Sequence, residues 1–367
     1  MKNYDIAIIG AGIAGCMTAY EAKSRGLKVV IIDRASTPAT GGSGAAGAFI
    51  SPKLGKPTPL LELTNLAYSY ASSFYINNFS KYFDSSGIVR LPKNSDDATN
   101  FEYYKSIINK PSTILKKEGL EKLGIKNQEL GLYFNGGGVC DAQGLCRALI
   151  KDIDYLQFEV KDLSSLPIKA KSIVLATGYE GFRDYLTYMG ISGTWGSRGD
   201  FYTDSKIEVC MHKAVSVSAN KDGIIKIGAT HTRAKSATNA CMQCDGKPLD
   251  KLLIEAKEMV DLKELKLKET LCGMRAGSKD YTPLVGKVIN TKYMLENYPQ
   301  LKKGYNKAPL KYIENLYTLN GLGGRGFVLA PLMAKWLLDL ILDDIDIDKR
   351  VNPNRLFLKW TRKLPPQ

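Results

Sequence analysis

The chain has 367 residues, 44% of them hydrophobic, and carries 51 lysines and arginines against 37 aspartates and glutamates, a formal charge of +14. That content is ample for a buried core in one large or two interleaved domains and describes a soluble globular protein. Seven cysteines, an odd number scattered along the chain, exclude a disulfide framework and fit a reducing cytoplasm. Met1-Lys2 followed by apolar residues superficially resembles a signal peptide, but the small residues behind it have another use, described next, so secretion is excluded. The longest late apolar stretch, 327–342, contains Lys335 and Asp339 and is too short to span a bilayer. The basic balance suits a polyanion, because lysine and arginine release counterions as they neutralise phosphates. Only 12 of the 51 basic residues are arginine, however, and a lysine skew of that kind also arises from composition alone, so charge leaves nucleic acid open.

In chain order, residues 4–9 form a short apolar strand that stops at Gly10-Ala11-Gly12-Ile13-Ala14-Gly15, the G-x-G-x-x-G spacing. A helical pattern follows to Ala22, then Gly26, then a second apolar strand at 29–32 ending in Asp33. Gly10 allows the tight turn, Gly12 lets backbone approach a pyrophosphate, and Gly15 lets the helix pack on the strand. Phosphates belong on the N–H groups at the helix N-terminus, where the macrodipole is positive. Asp33, eighteen residues past Gly15, suits an adenosine ribose.

A second run of small residues, 41–47, leads into a strand-like segment at 48–50. So much conformational entropy is lost there that a second backbone approach to a ligand is expected, with a flexible loop as the alternative. Leu63, Leu66, Ala67, Tyr70 and Phe74 have helical spacing within 60–83. Residues 87–91 read as a strand, 96–122 as polar and mostly helical, and 133–139 as a strand ending in a turn. Asp141 is the expected N-cap of a helix to Ile150, residues 158–160 read as a strand, and 172–178 as a buried parallel strand closing on Gly178. Segments 197–200, 206–210, 214–217 and 224–229 suggest a separate antiparallel sheet with Lys221-Asp222-Gly223 as a hairpin turn. A helix at 249–265 and strands at 270–276 and 316–319 follow, and a third glycine loop, 321–326, opens the final helix at Phe327.

One nucleotide does not need three glycine-rich approaches, at Gly10, Gly42 and Gly323; a long cofactor such as FAD does. With GGSGAAGAFISPKL at 41–54, FNGGGVCDAQGLCRAL at 134–149, IGATHTRA at 227–234, CGMRAGSKDYTPLVG at 272–286 and GLGGRGFVLAPLMA at 321–334, the chain resembles the D-amino-acid oxidase and glycine oxidase family of flavoproteins. Within that family the middle motifs resemble the FAD-dependent domains of bifunctional tRNA 5-methylaminomethyl-2-thiouridine biosynthesis proteins. The resemblance implies an α/β fold, a Rossmann-like FAD-binding domain (1–85, 140–190 and 273–367) with an interleaved α+β substrate domain on an antiparallel sheet (86–139 and 191–272).

It also implies FAD contacts from Gly10, Gly12, Ile13, Ala14, Gly15, Asp33, Arg34, Gly42, Ser43, Gly44, Ala46, Gly47, Val160, Thr177, Gly178, Arg275, Gly321, Gly323, Gly324, Arg325, Gly326 and Phe327. The implied reaction oxidises the carboxymethylaminomethyl side chain of the tRNA wobble uridine, by hydride transfer to flavin N5 and imine hydrolysis, giving glyoxylate and 5-aminomethyluridine. The chain has no room for a methyltransferase domain, so methylation is expected of a separate polypeptide. The short connection 161–171 implies a trimmed hairpin region beneath the adenine.

The substrate's carboxylate calls for a planar cation, and Arg275 stands where the family places its carboxylate-binding arginine. A surface ion pair is the alternative. Lys279 is a weaker candidate for tRNA phosphate, Asp280 for a turn cap, and Arg325 for stabilising the reduced flavin. His231 follows a strand and is a candidate base toward the secondary amine, with an exposed structural histidine as the other reading. Cys241-x-x-Cys244 lacks two further ligands at zinc spacing, so no metal is expected, and His212 has no supporting context. Two other readings stay open, an oxidase of a small free amine and a flavin-binding interaction protein without turnover.

Overall fold

The structure, a computed structural model, describes residues 2–233 and 249–365. The chain opens with β1 (Asn3–Ile9), α1 (Ile13–Ser24), β2 (Val29–Asp33), β3 (Phe49–Ile50), α2 (Pro59–Asn78), β4 (Phe83–Asp84) and β5 (Ile88–Arg90). It continues through α3 (Ser95–Thr99), α4 (Phe101–Ile107), β6 (Ser112–Lys116), α5 (Lys117–Lys122), β7 (Leu130–Phe134), β8 (Gly138–Cys140) and α6 (Ala142–Leu149). Next come β9 (Asp154–Gln157), β10 (Lys169–Leu175), β11 (Ser192–Tyr202), β12 (Cys210–His212), β13 (Ser216–Val217), β14 (Ile224–Gly228) and β15 (Thr232–Arg233). The rest is α7 (Leu249–Lys257), β16 (Lys266–Gly277), β17 (Leu284–Ile289), α8 (Thr291–Asn297), β18 (Tyr312–Asn320), α9 (Gly326–Asp343) and α10 (Asn354–Thr361).

Among the described residues the strands form three sheets. The first runs β17-β18-β10-β1-β2-β9 and is parallel except where β17 meets β18. Its central strand β1 reads as a nearly continuous apolar run because both faces are covered, and Ile6, Ala7 and Ile8 are buried. The second, of nine strands, is antiparallel apart from the β5–β12 pair, with β11 near one end, where it pairs with β14, β15 and β16. The third joins β3, β8 and β4. The chain is therefore a mixed α/β protein with a Rossmann-like layer beside a large antiparallel sheet.

Helices α1, α2 and α9 pack together, and Met17, Leu63, Tyr75 and Leu337 enter one core cluster with Ile6, Ile8 and Ile31. Thr58 caps α2 by accepting from the Leu61 N–H at 3.1 Å, with Pro59 in the first turn. Helix α9 contains Pro331, which has no N–H to give the carbonyl of Phe327 four residues back. The buried Tyr75 hydroxyl donates to that carbonyl instead, at 2.8 Å, and so ties α2 to the start of α9.

Several elements differ from expectation. The 96–122 region contains β6, an edge strand paired with β7, as well as helices. The strand expected at 158–160 lies earlier, as β9 beside β2, and the chain leaves the sheet at Phe158. The 60–83 helix ends at Asn78, and the 206–210 strand begins only at Cys210. The 249–265 helix stops at Lys257 because Met259 and Val260 turn to the 125–126 segment, with the Lys126 N–H on the Met259 carbonyl at 2.7 Å. Strand β17 and helices α8 and α10 carry no sequence signal strong enough to be expected, and α10 follows α9. The Lys221-Asp222-Gly223 turn forms, with Asp222 and Gly223 both at positive φ. Cys241 and Cys244 lie outside the described residues. Among the described residues no helix is long and apolar enough to cross a membrane.

Replacing Tyr75 by phenylalanine leaves the buried Phe327 carbonyl without a donor and is expected to cost about 1–3 kcal/mol. Urea unfolding of the two proteins measures it; equal midpoints would mean that the hydroxyl bond contributes nothing.

Candidate active site

A cleft of about 1230 Å³ runs between the C-terminal ends of β1, β2, β10 and β18 and the face of the nine-stranded sheet. The carboxyl ends of parallel strands are where an open α/β sheet binds ligands. At the first turn Gly10 has φ +107°, and a β-carbon there would overlap the Ala176 carbonyl oxygen at the end of β10. The Asp33 carboxylate closes the same corner, accepting from the Ala11 N–H at 2.7 Å and the Ala35 N–H at 2.9 Å.

Of the residues expected to bind FAD, all but Gly15 and Gly44 line this cleft. Those two sit behind it, Gly15 against the Gly10 carbonyl and Gly44 against the Ala39 carbonyl. Gly12, Ile13 and Ala14 form the start of α1, but one amide there is already engaged: the Ile13 N–H donates to Ser43 Oγ at 2.9 Å. Ser43 thus caps α1 from the second glycine loop. Gly42 also serves packing, since a β-carbon there would strike the Met274 carbonyl of β16. Ala46 and Gly47 continue the lining. Arg34 pairs with Glu180 at 2.7 Å near Val160, Thr177 and Gly178, and the Thr177 hydroxyl donates to the Gly181 carbonyl at 3.1 Å.

At the other end stand Gly321, Gly323, Gly324, Arg325, Gly326 and Phe327. The guanidinium of Arg275 lies over Gly196 and close to Gly324, and its Nη1 donates to the Thr230 carbonyl at 2.9 Å. Among the described residues it has no carboxylate partner, and burial lowers its pKa. His231 sits at the exposed rim, its pKa lowered by burial and by Arg275. Asp280 caps its turn through the Thr282 N–H at 3.3 Å and is also gripped by the fork of Arg355 at 2.8 and 2.9 Å.

Sequence reasoning missed Arg90, Lys53, Trp195 and His212, which all line the cleft. Arg90 Nη1 donates to Ser51 Oγ at 3.0 Å, and burial with the neighbouring Arg325 pushes its pKa down to about 9. Burial likewise pushes Arg325 down to about 10. His212 faces Arg90 across the β5–β12 pair and shares a 2.7 Å hydrogen bond with Ser216. The available signal was an arginine inside the otherwise apolar 88–91 strand, where a charge needs a reason.

The family profile described as FAD dependent oxidoreductase matches residues 5–340. The chain belongs to this family. Among curated relatives, the tRNA 5-methylaminomethyl-2-thiouridine biosynthesis bifunctional protein MnmC of Legionella pneumophila (strain Corby) is 26% identical over 96% of this chain and 57% of its own length. The protein of the same name from Shewanella amazonensis is 25% identical over 99% and 60%. The chain thus spans under two thirds of the curated relatives it matches. Glycine oxidase from Bacillus cereus ATCC 14579 shares the fold at a TM-score of 0.75 and 20% identity, over 94% of this chain and 96% of that one. The L-alpha-glycerophosphate oxidase of Mycoplasma pneumoniae, solved with FAD bound, does so at 0.67 and 18%, over 96% and 98%.

FAD is the cofactor of this family, and the cleft fits it. A carboxylate ends β2, helical amides and small residues line the middle, and positive side chains close the far end.

His212 is held neutral by burial, then by Arg90, Arg325, Lys93 and His231. Its folded pKa lies below its unfolded value of 6.5, so unfolding takes up a proton. Its share of stability is complete above that value and is lost as pH falls, at a slope approaching about 1.4 kcal/mol per pH unit. His212→Gln is expected to flatten the fall in urea-unfolding free energy between pH 6.5 and 5; an unaltered slope assigns the proton elsewhere.

Proposed function

We propose that this FAD-dependent oxidoreductase acts on a secondary amine, the 5-carboxymethylaminomethyl side chain of the wobble uridine in tRNA, releasing glyoxylate and leaving 5-aminomethyluridine. The observation that carries the reading is the Arg275 guanidinium, lining the cleft beside Gly324 with one carbonyl bond and no carboxylate of the described chain. A planar fork in that state suits bidentate capture of an acidic tail. Bound FAD supplies the two-electron acceptor. The CH–NH bond pair of the substrate becomes an imine, water adds to the imine carbon, and the C–N bond breaks to give aldehyde and primary amine. Arg275 holds the carboxylate and so orients the carbon that loses hydrogen. His231 at the rim, its pKa lowered by burial and by Arg275, is the base that takes the proton from the secondary ammonium.

The names of the curated relatives support tRNA as the carrier of the amine. So does charge: Lys279 stands against Lys363 with Lys359 nearby, two positions from Tyr281 on the cleft lining, and like charge lowers the Lys279 pKa. Phosphate oxygens would relieve that repulsion. Methylation of the aminomethyl product is assigned to another activity.

In a strain lacking the gene, tRNA is expected to accumulate the carboxymethylaminomethyl nucleoside by mass spectrometry. An unchanged profile, with peroxide formed from free glycine by the purified protein, would replace this reading by a small-amine oxidase. Arg275→Ala should lower kcat/KM about 10- to 100-fold, the worth of a charged hydrogen bond, while FAD stays bound. Full activity of that variant removes Arg275 from the carboxylate site.

A further inference from the structure

Arg90 and Arg325 converge on one residue. Arg90 Nη1 donates to Ser51 Oγ at 3.0 Å and to the Pro52 carbonyl at 3.3 Å, and Arg325 Nη1 donates to the Ser51 carbonyl at 3.2 Å. Lys53, two residues on from Ser51, lines the same cleft, and burial, then Arg325 and Arg90, lower its pKa. Arg90 is only 9% exposed, yet its Nε has no partner, and neither guanidinium bonds a carboxylate among the described residues.

Burying Arg90 beside the half-buried Arg325, with the Asp97 carboxylate offsetting only part of the charge and no ion pair formed, is unfavourable, because desolvation and mutual repulsion act together. The cost falls when an anion with several acceptor lone pairs enters. Arg90 projects from the nine-stranded sheet, whereas the G-x-G-x-x-G turn and Asp33 belong to the other, so Arg90 approaches from the side opposite the nucleotide elements. Arg275 is a separate centre: it belongs to β16 and its Nη1 donates to the Thr230 carbonyl, whereas Arg90 and Arg325 both bond Ser51.

We infer that Arg90, with Arg325 and Lys53, forms an anion subsite in the cleft, distinct from Arg275, that takes a small carboxylate. Because Arg275 takes the single acidic tail of the bound amine, the carboxylate here is a free short one, such as the 2-oxo acid the reaction releases. The subsite holds whether the amine belongs to tRNA or to a free molecule, so it stands apart from the tRNA reading.

The test titrates the FAD-loaded full chain with acetate and with glyoxylate, reading the flavin absorbance change. Arg90→Gln and Arg90→Met are expected to weaken both anions by at least about tenfold, with FAD content and melting temperature retained, and Arg275→Gln by less than about threefold. In a second arm, tRNA from the deletion strain is added first: additive binding of acetate is expected, and competition, which would put the substrate tail in this subsite, overturns its assignment to a free carboxylate. Wild-type acetate affinity in the Arg90 variants overturns the subsite, as does a loss confined to Arg275→Gln or the absence of any spectral change. Loss of FAD from the Arg90 variants places Arg90 in the cofactor cradle and overturns it as well.

Discussion

Backbone meets backbone where the second glycine loop crosses β16. Gly42 lies against the Met274 carbonyl, and Gly273 faces back onto the Gly42 α-carbon, so neither side has room for a β-carbon. The buried Arg198 of β11 reinforces the seam, donating from Nε to the Ala45 carbonyl at 3.1 Å while Nη1 pairs with Asp200 at 2.5 Å. This contact locks the parallel sheet to the antiparallel one and leaves a single long cleft along their junction. Ser43, from the same loop, caps α1, so the loop that joins the sheets also completes the nucleotide turn.

Charge divides the cleft into two ends. Asp33, Glu159 and Glu180 line one, with Arg34 held by Glu180. Arg90, Arg325, Lys53 and Arg275 line the other, where their ordinary carboxylate partners are replaced by carbonyls and hydroxyls. A dinucleotide with hydroxyl groups at one terminus and a carbonyl-rich ring at the other matches that polarity, and so does an acidic substrate at the ring end. Burial and then the same positive field lower the pKa of both His212 and His231, so each resists taking up a proton.

Local pattern was readable wherever one element carried its own signal. The strand-turn-helix of β1 and α1, the Asp141 cap, and the Lys221-Asp222-Gly223 turn depend on residues a few positions apart. The misplaced elements are those decided by partners distant in sequence. β6 is a strand because β7 lies beside it, and α7 ends where Met259 and Val260 meet the 125–126 segment. Gly15 and Gly44 looked like cofactor contacts because glycine marks any close approach, and here the approaching group is the chain's own carbonyl.

The sequence by itself determined the dinucleotide turn, the acid at the end of β2, the three glycine loops and Arg275, because spacing along the chain carries that information. Tertiary structure alone decided that Arg90 from β5, Arg325 from the last loop and Ser51 from just after β3 would meet, and that His212 would face Arg90. Those residues are far apart in sequence and none has a distinctive neighbourhood. Only the sheet-to-sheet contact brings their charges together, and burial then gives them their chemistry.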